Sequence, residues 1–160
     1  MQTWIALLRG VNVGGKNLLP MNELVAILEN LDCKDVRTYI QSGNAAFRST
    51  HRVGSMLDGK ISRSIENHFG FKPLVFLLTL NEFENAISMN PYPEAGDAPN
   101  SFHVFFLSEE SKSPDLEALE NLKVATERFK LDGRVFYLHA PDGVGRSRLE
   151  IGPKNRGTRP

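Results

Sequence analysis

The sequence has few of the features that would place it in a specialised class of proteins. Its 160 residues include one cysteine, Cys33, which excludes an internal disulfide and a metal site built from several cysteines. No run approaches the roughly 18 apolar residues that a spanning helix needs, and no signal-peptide pattern opens the chain. The 19 basic residues balance the 19 acidic ones, so no net charge attracts nucleic acid or an anionic membrane. We therefore expect a cytoplasmic globular protein that has no membrane partner.

Signals for catalysis or metal binding are equally scarce. No serine lies in the G-x-S-x-G pattern of a nucleophile turn, and Cys33, expected to be a half-buried thiol, has no histidine near it in sequence. The histidines fall in four different predicted elements, and no two of them have the spacing of metal ligands: His51, His68, His103 and His139. We predict no metal and no cofactor, and whether the protein is an enzyme stays open.

The chain is organised around Thr3 to Asn17, an apolar run followed by a glycine-rich loop. Trp4 to Leu8 is apolar on both alternating faces, which predicts a strand covered on both sides in the middle of a sheet. A glycine-rich loop follows, and Pro20 then suits the first turn of a helix. The apolar face of that helix is Met21, Leu24, Val25, Leu28 and Leu31. The predicted order is therefore strand, glycine loop, helix.

The glycine loop resembles a phosphate-binding loop in its spacing. Gly10 is followed after four residues by Gly and Lys, but Asn17 replaces the Ser or Thr that normally binds magnesium. Such a loop cups phosphate oxygens with backbone N–H groups at the start of a helix. Three interpretations stay open: a nucleotide hydrolase, an anion site without hydrolysis, or a turn that positions the helix. The candidate anion-binding residues here are Arg9, Asn12, Gly14, Gly15, Lys16 and Asn17.

A second glycine-rich loop lies near the end of the chain. It runs from Asp142 to Arg148, and its Arg146 and Arg148 have the paired N–H donors that suit phosphate or carboxylate. If this loop met Arg9 and Lys16 at one sheet edge, the two loops would form a cationic cleft. The alternative is a solvated basic tail.

The first half of the chain predicts an α+β fold. Val36 to Arg48 alternates around turn residues and reads as a hairpin whose first strand is an edge. A helix follows that Gly70 can close in a left-handed cap, and Leu74 to Leu78 is a further strand. The apolar face of that helix is Val53, Leu57, Ile61, Ile65 and Phe69. Residues 1–80 therefore have the βαββαβ order of a ferredoxin-like module.

The second half predicts a smaller and apparently incomplete α/β module over residues 81–149, packed on the first. Phe102 to Leu107 is an apolar strand, and Arg134 to His139 is another. Between them we predict a helix capped by Ser113, with an apolar face formed by Leu116, Leu119, Leu122 and Phe129. Residues 150–160 form a basic tail that we expect to be disordered.

A ferredoxin-like sheet also raises the alternative of an RNA-binding or protein-interaction module. RNA-recognition modules of this order stack bases on aromatic side chains of the central strands. Trp4 and Phe47 lie on the two predicted central strands, although alanines occupy the neighbouring positions Ala45 and Ala46. The partners under consideration are therefore a phosphorylated small molecule or nucleotide and, alternatively, RNA.

Several segments together resemble a known family. ALLRGVNVGGKN, VRTYIQSGNAAF and YLHAPDGVGRSRL, with the blocks between them, are similar to the bacterial family catalogued as domain of unknown function 1697, from about Thr3 to Leu149. The resemblance implies a small cytoplasmic α+β protein whose N-terminal part is ferredoxin-like and whose biochemical activity is not established.

The resemblance also implies a longer second module. Members continue after GRSRL through further helix, whereas this sequence continues as EIGPKNRGTRP. We therefore expect a truncated or frameshifted C-terminus. Such a change would leave apolar residues of the second module partly uncovered and favour self-association: Phe105, Leu119, Phe136 or Leu138.

Overall fold

The computed structural model of this chain describes residues 1–52 and 55–149. Helices combine with two antiparallel sheets, which confirms the α+β class. The chain divides into two compact units, Met1–Ile87 and a second that begins at Ser88. The predicted module that begins at residue 81 and packs on the first stays a prediction, and the predicted tail at 150–160 lies outside the described residues.

The first unit is a four-stranded antiparallel sheet with helices. Its elements are β1 Gln2–Arg9, α1 Met21–Asn30, β2 Lys34–Tyr39, β3 Asn44–Ser49, α2 Leu57–Phe69, β4 Leu74–Thr79 and α3 Leu80–Ser88. The strand order is β2-β3-β1-β4, and all three pairs are antiparallel. The predicted internal position of β1 and the predicted edge position of β2 are both confirmed.

The core of this unit lies between the inner face of the sheet and the first two helices. On β1, Trp4, Ala6 and Leu8 are buried, whereas Ile5 and Leu7 on the opposite face are half-buried. The helices contribute buried residues at helical spacing: Leu24, Ile27 and Leu28 from α1, and Leu57, Ile61 and Ile65 from α2. The apolar periodicities of the sequence therefore mark the faces that pack.

The predicted left-handed cap of α2 is confirmed. Gly70 has φ +74° and donates its N–H to the carbonyl of Glu66 at 2.9 Å. The start of α2 is later than the apolar spacing suggested, since the helix begins at Leu57, while Val53 and Gly54 lie outside the described residues.

Gly43 lies in the turn between β2 and β3, where both the backbone conformation and the lack of space favour glycine. Its φ is +77°, and a Cβ there would lie 3.2 Å from the Cβ of Leu8 and 3.4 Å from that of Val11. We expect Gly43→Ala to lower the free energy of unfolding by about 2 kcal/mol, since alanine must adopt a left-handed conformation and crowd the core. Urea unfolding followed by the fluorescence of Trp4, the only tryptophan, measures this.

Gly70→Ala is the matched control for this substitution. Gly70 has a similar φ of +74°, but no atom lies within 4 Å of the added Cβ. The control therefore carries the conformational cost without the crowding. Equal losses of stability in the two variants would contradict the close packing of Gly43 against Leu8 and Val11.

The second unit contains a three-stranded antiparallel sheet. Its elements are β5 Phe102–Phe106, α4 Leu116–Leu122, β6 Arg128–Asp132 and β7 Val135–His139, with short 3₁₀ helices at Pro93–Asp97, Pro99–Ser101 and Val144–Arg146. The strand order is β5-β7-β6, so the last strand in sequence is the central one.

The predicted helix from Ser113 to Phe129 is wrong in both its cap and its length. Asp115 caps α4, since its Oδ1 accepts the N–H of Ala118 at 2.9 Å, and the helix ends at Leu122. The chain then turns through residues 124–127, where the N–H of Glu127 is donated to the carbonyl of Val124. Phe129 therefore lies on strand β6, although its spacing from Leu122 is also that of a helix.

Both faces of β7 are covered. Phe136 and Leu138 pack with Leu149, whereas Tyr137 packs on the other side with Tyr92 and Ala95. Phe136 is 3% exposed and Leu138 is fully buried, so the expectation that these two side chains would be uncovered is wrong. The other two residues of that expectation, Phe105 and Leu119, are half-buried.

Candidate ligand site at the loop end of the first unit

The glycine loop and the turn between β2 and β3 meet at one end of the first sheet. The side-chain amide of Asn12 donates to the carbonyl of Gln41 at 3.0 Å, and Gly43 lies against Leu8 and Val11. We call residues 9–22 and 37–44 the loop end.

The tip of the glycine loop is a small β-hairpin. Val13 and Lys16 form an antiparallel bridge, in which the N–H of Lys16 is donated to the carbonyl of Val13 at 3.1 Å. The two central residues, Gly14 and Gly15, have φ of +59° and +71°. Positive φ at both positions is typical of a type I′ turn, which explains the pair of glycines without reference to a ligand.

Asn12 holds the base of the loop. Its Oδ1 accepts the N–H of Leu19 at 2.8 Å, and its Nδ2 donates to the carbonyls of Leu19 at 2.9 Å and of Gln41 at 3.0 Å. Its φ of +55° is one that asparagine tolerates better than most residues. Both functional groups of this amide are therefore engaged inside the protein.

Asn17 closes the other side of the loop. Its Nδ2 donates to the carbonyl of Gly10 at 2.9 Å, and its own carbonyl accepts the N–H of Asn12 at 3.1 Å. A phosphate loop turns such N–H groups toward the anion, but here those of Asn12 and Lys16 are used by the loop itself. The N–H groups of Gly14 and Gly15 are exposed and make no hydrogen bond within residues 1–52 and 55–149.

An open depression of about 380 Å³ lies where the loop joins α1. Its lining consists of Asn12, Leu18, Leu19, Pro20, Met21, Asn22 and Gln41. Pro20 occupies the N-cap position of α1 and offers no side-chain acceptor to the helix. The first N–H groups of a helix have no partner inside it, and the helix dipole places partial positive charge there. In α1 the N–H of Glu23 is donated to the carbonyl of Pro20 at 3.1 Å, so the N–H groups of Met21 and Asn22 are the ones left without a partner in the described part of the chain.

The predicted site residues do not all converge on this depression. Of the eight, Asn12 lies in the lining, while Arg9 and Lys16 are exposed and form no ion pair within the described part of the chain. Arg146 and Arg148 belong to the second unit, where both are exposed. The cationic cleft between the two glycine-rich loops stays a prediction.

Sequence reasoning missed most of the lining. Leu18, Asn22 and Gln41 lie there but were not among the eight predicted site residues. One local signal was available, because Pro20 precedes a periodic helix with none of the Ser, Thr, Asp or Asn that usually cap one. The contribution of Gln41 comes from a distant hairpin, which no local pattern indicates.

The aromatic residues considered for base stacking are not available to RNA. Trp4 is 4% exposed and Phe47 is 1% exposed, and the two are register partners on the inner face of the sheet. Tyr39, on β2, is by contrast 68% exposed. The RNA-binding alternative therefore loses the rings that first suggested it.

The thiol of Cys33 is more deeply buried than expected. It is fully inaccessible rather than half-buried, and burial raises its pKa from the ordinary value. A thiol that stays protonated is a poor nucleophile.

A polar cluster in the second unit joins the 3₁₀ helix Pro93–Asp97 to the sheet. The Arg128 Nη2 donates to Glu94 Oε1 and also lies 3.0 Å from His139 Nδ1, while the guanidinium lies 4.6 Å from the centre of the Tyr92 ring. The hydrogen bond from Arg128 lowers the pKa of Glu94, and burial raises that of Tyr92. Since arginine can only donate, the imidazole accepts at Nδ1. All four side chains are occupied with one another, which indicates a structural role.

The part of the chain that the structure describes has neither a metal-binding cluster nor a membrane-spanning helix. No group of three or more histidine, cysteine or acidic side chains there is arranged to hold a metal ion. None of the helices in residues 1–52 and 55–149 has the length and hydrophobicity needed to cross a bilayer.

Comparison with known proteins gives a family and a structural relative. The model of the family described as "Protein of unknown function (DUF1697)" matches residues 1–137. Among solved structures, conserved bacterial protein SP0830 from Streptococcus pneumoniae is 27% identical, with a TM-score of 0.66, over 87% of this chain and 77% of that one. No curated protein matches the sequence significantly.

Proposed function

We propose that this chain, which belongs to the DUF1697 family, binds a phosphorylated small molecule at the loop end of its first unit without hydrolysing it. The observation that carries the proposal is the N-terminus of α1, which has no side-chain cap and opens onto the depression of about 380 Å³. Helix N-termini of this kind favour phosphate because of their free N–H groups and their dipole.

Charge around the depression supports the same ligand class. Residues 9–22 and 37–44 contain Arg9, Lys16 and Arg37, and the acid that follows directly is Glu23, whose Oε1 accepts from the Nδ2 of Asn22 at 3.4 Å. Arg9 and Lys16 do not line the depression, so their attraction acts through solvent and is weakened by salt. The engaged N–H groups of Asn12 and Lys16 argue against the geometry of a nucleotide hydrolase.

We also propose that the first unit has a ferredoxin-like arrangement and that the protein is located in the cytoplasm. The element order βαββαβ up to β4 and the strand order β2-β3-β1-β4 support the first. The single, buried cysteine supports the second.

Binding of phosphorylated compounds can be measured by thermal unfolding with inorganic phosphate, AMP and glucose 6-phosphate. A ligand present at about 100 times its dissociation constant adds about 2.7 kcal/mol to the stability of the native state, which raises Tm by several degrees. We expect at least one of the two organic phosphates to raise Tm. Unchanged unfolding with all three compounds at millimolar concentration would contradict the proposed function.

A charge substitution tests the position of the site. Asn22→Asp places a carboxylate in the first turn of α1 beside the depression, and we expect it to weaken binding of the active compound about tenfold through repulsion. Asn30→Asp is the matched control, because it makes the same change in the last residue of the helix. The dipole favours the acid at position 22, so lost folding cannot explain lost binding there. Equal affinities in the two variants would place the site elsewhere.

A further inference from the structure

Charge is unevenly distributed along this chain. The sequence has equal numbers of acidic and basic residues, yet the loop end carries three basic residues and no acidic one. Residues 108–122, which we call the acidic segment, carry five acidic residues and one lysine. The loop end belongs to the first unit and the acidic segment to the second.

The loop end also exposes large apolar side chains. Their exposed fractions are 67% for Val13, 64% for Leu18, 68% for Tyr39 and 70% for Ile40. Contiguous exposed apolar surface with a polar rim often marks a site of protein association. The charged residues that lie among these four along the chain are all basic: Arg9, Lys16 and Arg37.

Ile40 is the most informative of these residues. Its φ is +51°, a left-handed conformation that is unfavourable by roughly 1–2 kcal/mol for a residue with a Cβ, and more so for a β-branched one. The side chain of Ile40 is nevertheless exposed to solvent, because no other part of this chain covers it within the described residues. An aliphatic side chain that is both strained and exposed gains stability only when a partner covers it.

The acidic segment offers the complementary surface. None of the seven residues of α4 is buried, and Leu116 and Leu122 at its two ends are 45% and 49% exposed. Glu109, Glu110 and Glu117 are exposed as well and form no ion pair within the described residues. Leu116 and Leu122 lie on different faces of α4, so the match to the loop end is one of charge: Glu109, Glu110 and Glu117 are opposite in sign to Arg9, Lys16 and Arg37.

We propose that this chain associates head to tail, with the loop end of one copy docked on the acidic segment of a second copy. Because the two surfaces differ, the contact is heterologous, and each copy keeps one surface free for a further copy. Association therefore continues beyond a dimer unless the chain of copies closes into a ring. The inference does not depend on the proposed phosphate site, although a bound phosphate would compete for the same charge.

Analytical ultracentrifugation of the full chain measures this association. We expect the average mass to increase with protein concentration and to fall as salt is raised from about 50 to 500 mM, because salt screens the opposed charges. A chain that remains monomeric at millimolar concentration, or an average mass that does not fall as salt is raised, would overturn the proposal.

Two surface variants identify the contact. Arg37→Glu combined with Ile40→Asn alters the loop end, and Glu110→Lys combined with Leu122→Gln alters the acidic segment. Each variant alone should be monomeric, whereas an equimolar mixture should form a dimer of fixed size, since each variant keeps the surface that the other lacks. Self-association of either variant at the parent's strength, or a monomeric mixture, would contradict the head-to-tail contact.

The Ile40→Asn substitution separates lost association from lost folding. Asparagine tolerates the left-handed conformation, so this change should preserve or raise the thermal stability of the first unit while association falls. Neither Arg37 nor Ile40 lines the depression. Because Arg37 belongs to the charge that supports phosphate binding, the phosphate panel is repeated on Ile40→Asn alone, which keeps that charge, and failure of one proposal leaves the other separately measurable.

Discussion

Replacing Phe47 with alanine is expected to lower the free energy of unfolding of the first unit by about 3–5 kcal/mol, the range for an aromatic residue deleted from a packed core. Phe47 is 1% exposed on the inner face of β3, where it pairs in register with Trp4 on β1. The cavity would lie between the two central strands and the helices, where the surrounding elements are least able to collapse. Urea unfolding followed by Trp4 fluorescence gives the change in midpoint and slope.

Tyr39→Ala provides the control, because it truncates an aromatic ring on the neighbouring strand that is 68% exposed. Its effect on stability should remain within about 0.5 kcal/mol. A loss below 1 kcal/mol for Phe47→Ala would mean that the ring faces solvent. The base-stacking interpretation of the sheet would then regain one of its aromatic positions.

Asn12→Asp is expected to give the second large loss, about 2–3 kcal/mol, although it changes one NH₂ group to oxygen. The substitution keeps the acceptor for the N–H of Leu19 but removes the donor to the carbonyls of Leu19 and Gln41. It also places negative charge beside those two carbonyl oxygens. The measurement is again urea unfolding at neutral pH, where the new carboxylate is ionised.

Asn17 and Asn22, two further asparagines of the loop end, complete a graded series. Asn17→Asp removes one donated hydrogen bond, to the carbonyl of Gly10, so its cost should be smaller. Asn22→Asp lies in the first turn of α1 and should be neutral or slightly stabilising because of the helix dipole. Any other order of stability among the three would show that Asn12 does not hold the loop.

Local periodicity predicted most of the first unit because each element there has a strong pattern of its own. Trp4 to Leu8 is apolar on both faces, and the structure places β1 between two strands. The four-residue spacing from Leu57 to Phe69, with Gly70 after it, gave α2 and its cap. A strand pattern states which residues share a face but not which face meets the helices, and for that reason the burial of Phe47 on β3 was not predicted.

The second unit was harder to predict because one spacing fits two structures. Phe129 follows Leu122 by seven residues, which suits the face of one continuous helix as well as the start of a strand. The structure ends α4 at Leu122 and turns through residues 124–127, where Glu127 Oε2 accepts the N–H of Val124 at 3.0 Å. A side chain that stabilises its own local turn leaves no periodic signal.

The position of the glycine loop beside α1 was predicted from the sequence, whereas most residues that line the depression were not. The glycine loop does lie beside the start of α1, as its spacing indicated. The sequence could not show that Asn12 and Asn17 bond to the backbone of the loop rather than to a ligand. An asparagine in a glycine-rich segment can bond to the backbone or to a ligand equally well. Only the positions of the groups around its side chain show which of these it does.

The central position of β1 leaves this strand without its neighbours for part of the time in which the protein is synthesised. β1 is synthesised before its two neighbours in the sheet, β3 and β4, which extend to Ser49 and Thr79. At roughly 5–20 residues per second, β4 is completed roughly 4–14 s after β1. During that interval the apolar segment from Trp4 to Leu8 lacks at least one of the strands that flank it, and on the ribosome it is a target for chaperones that bind short hydrophobic segments.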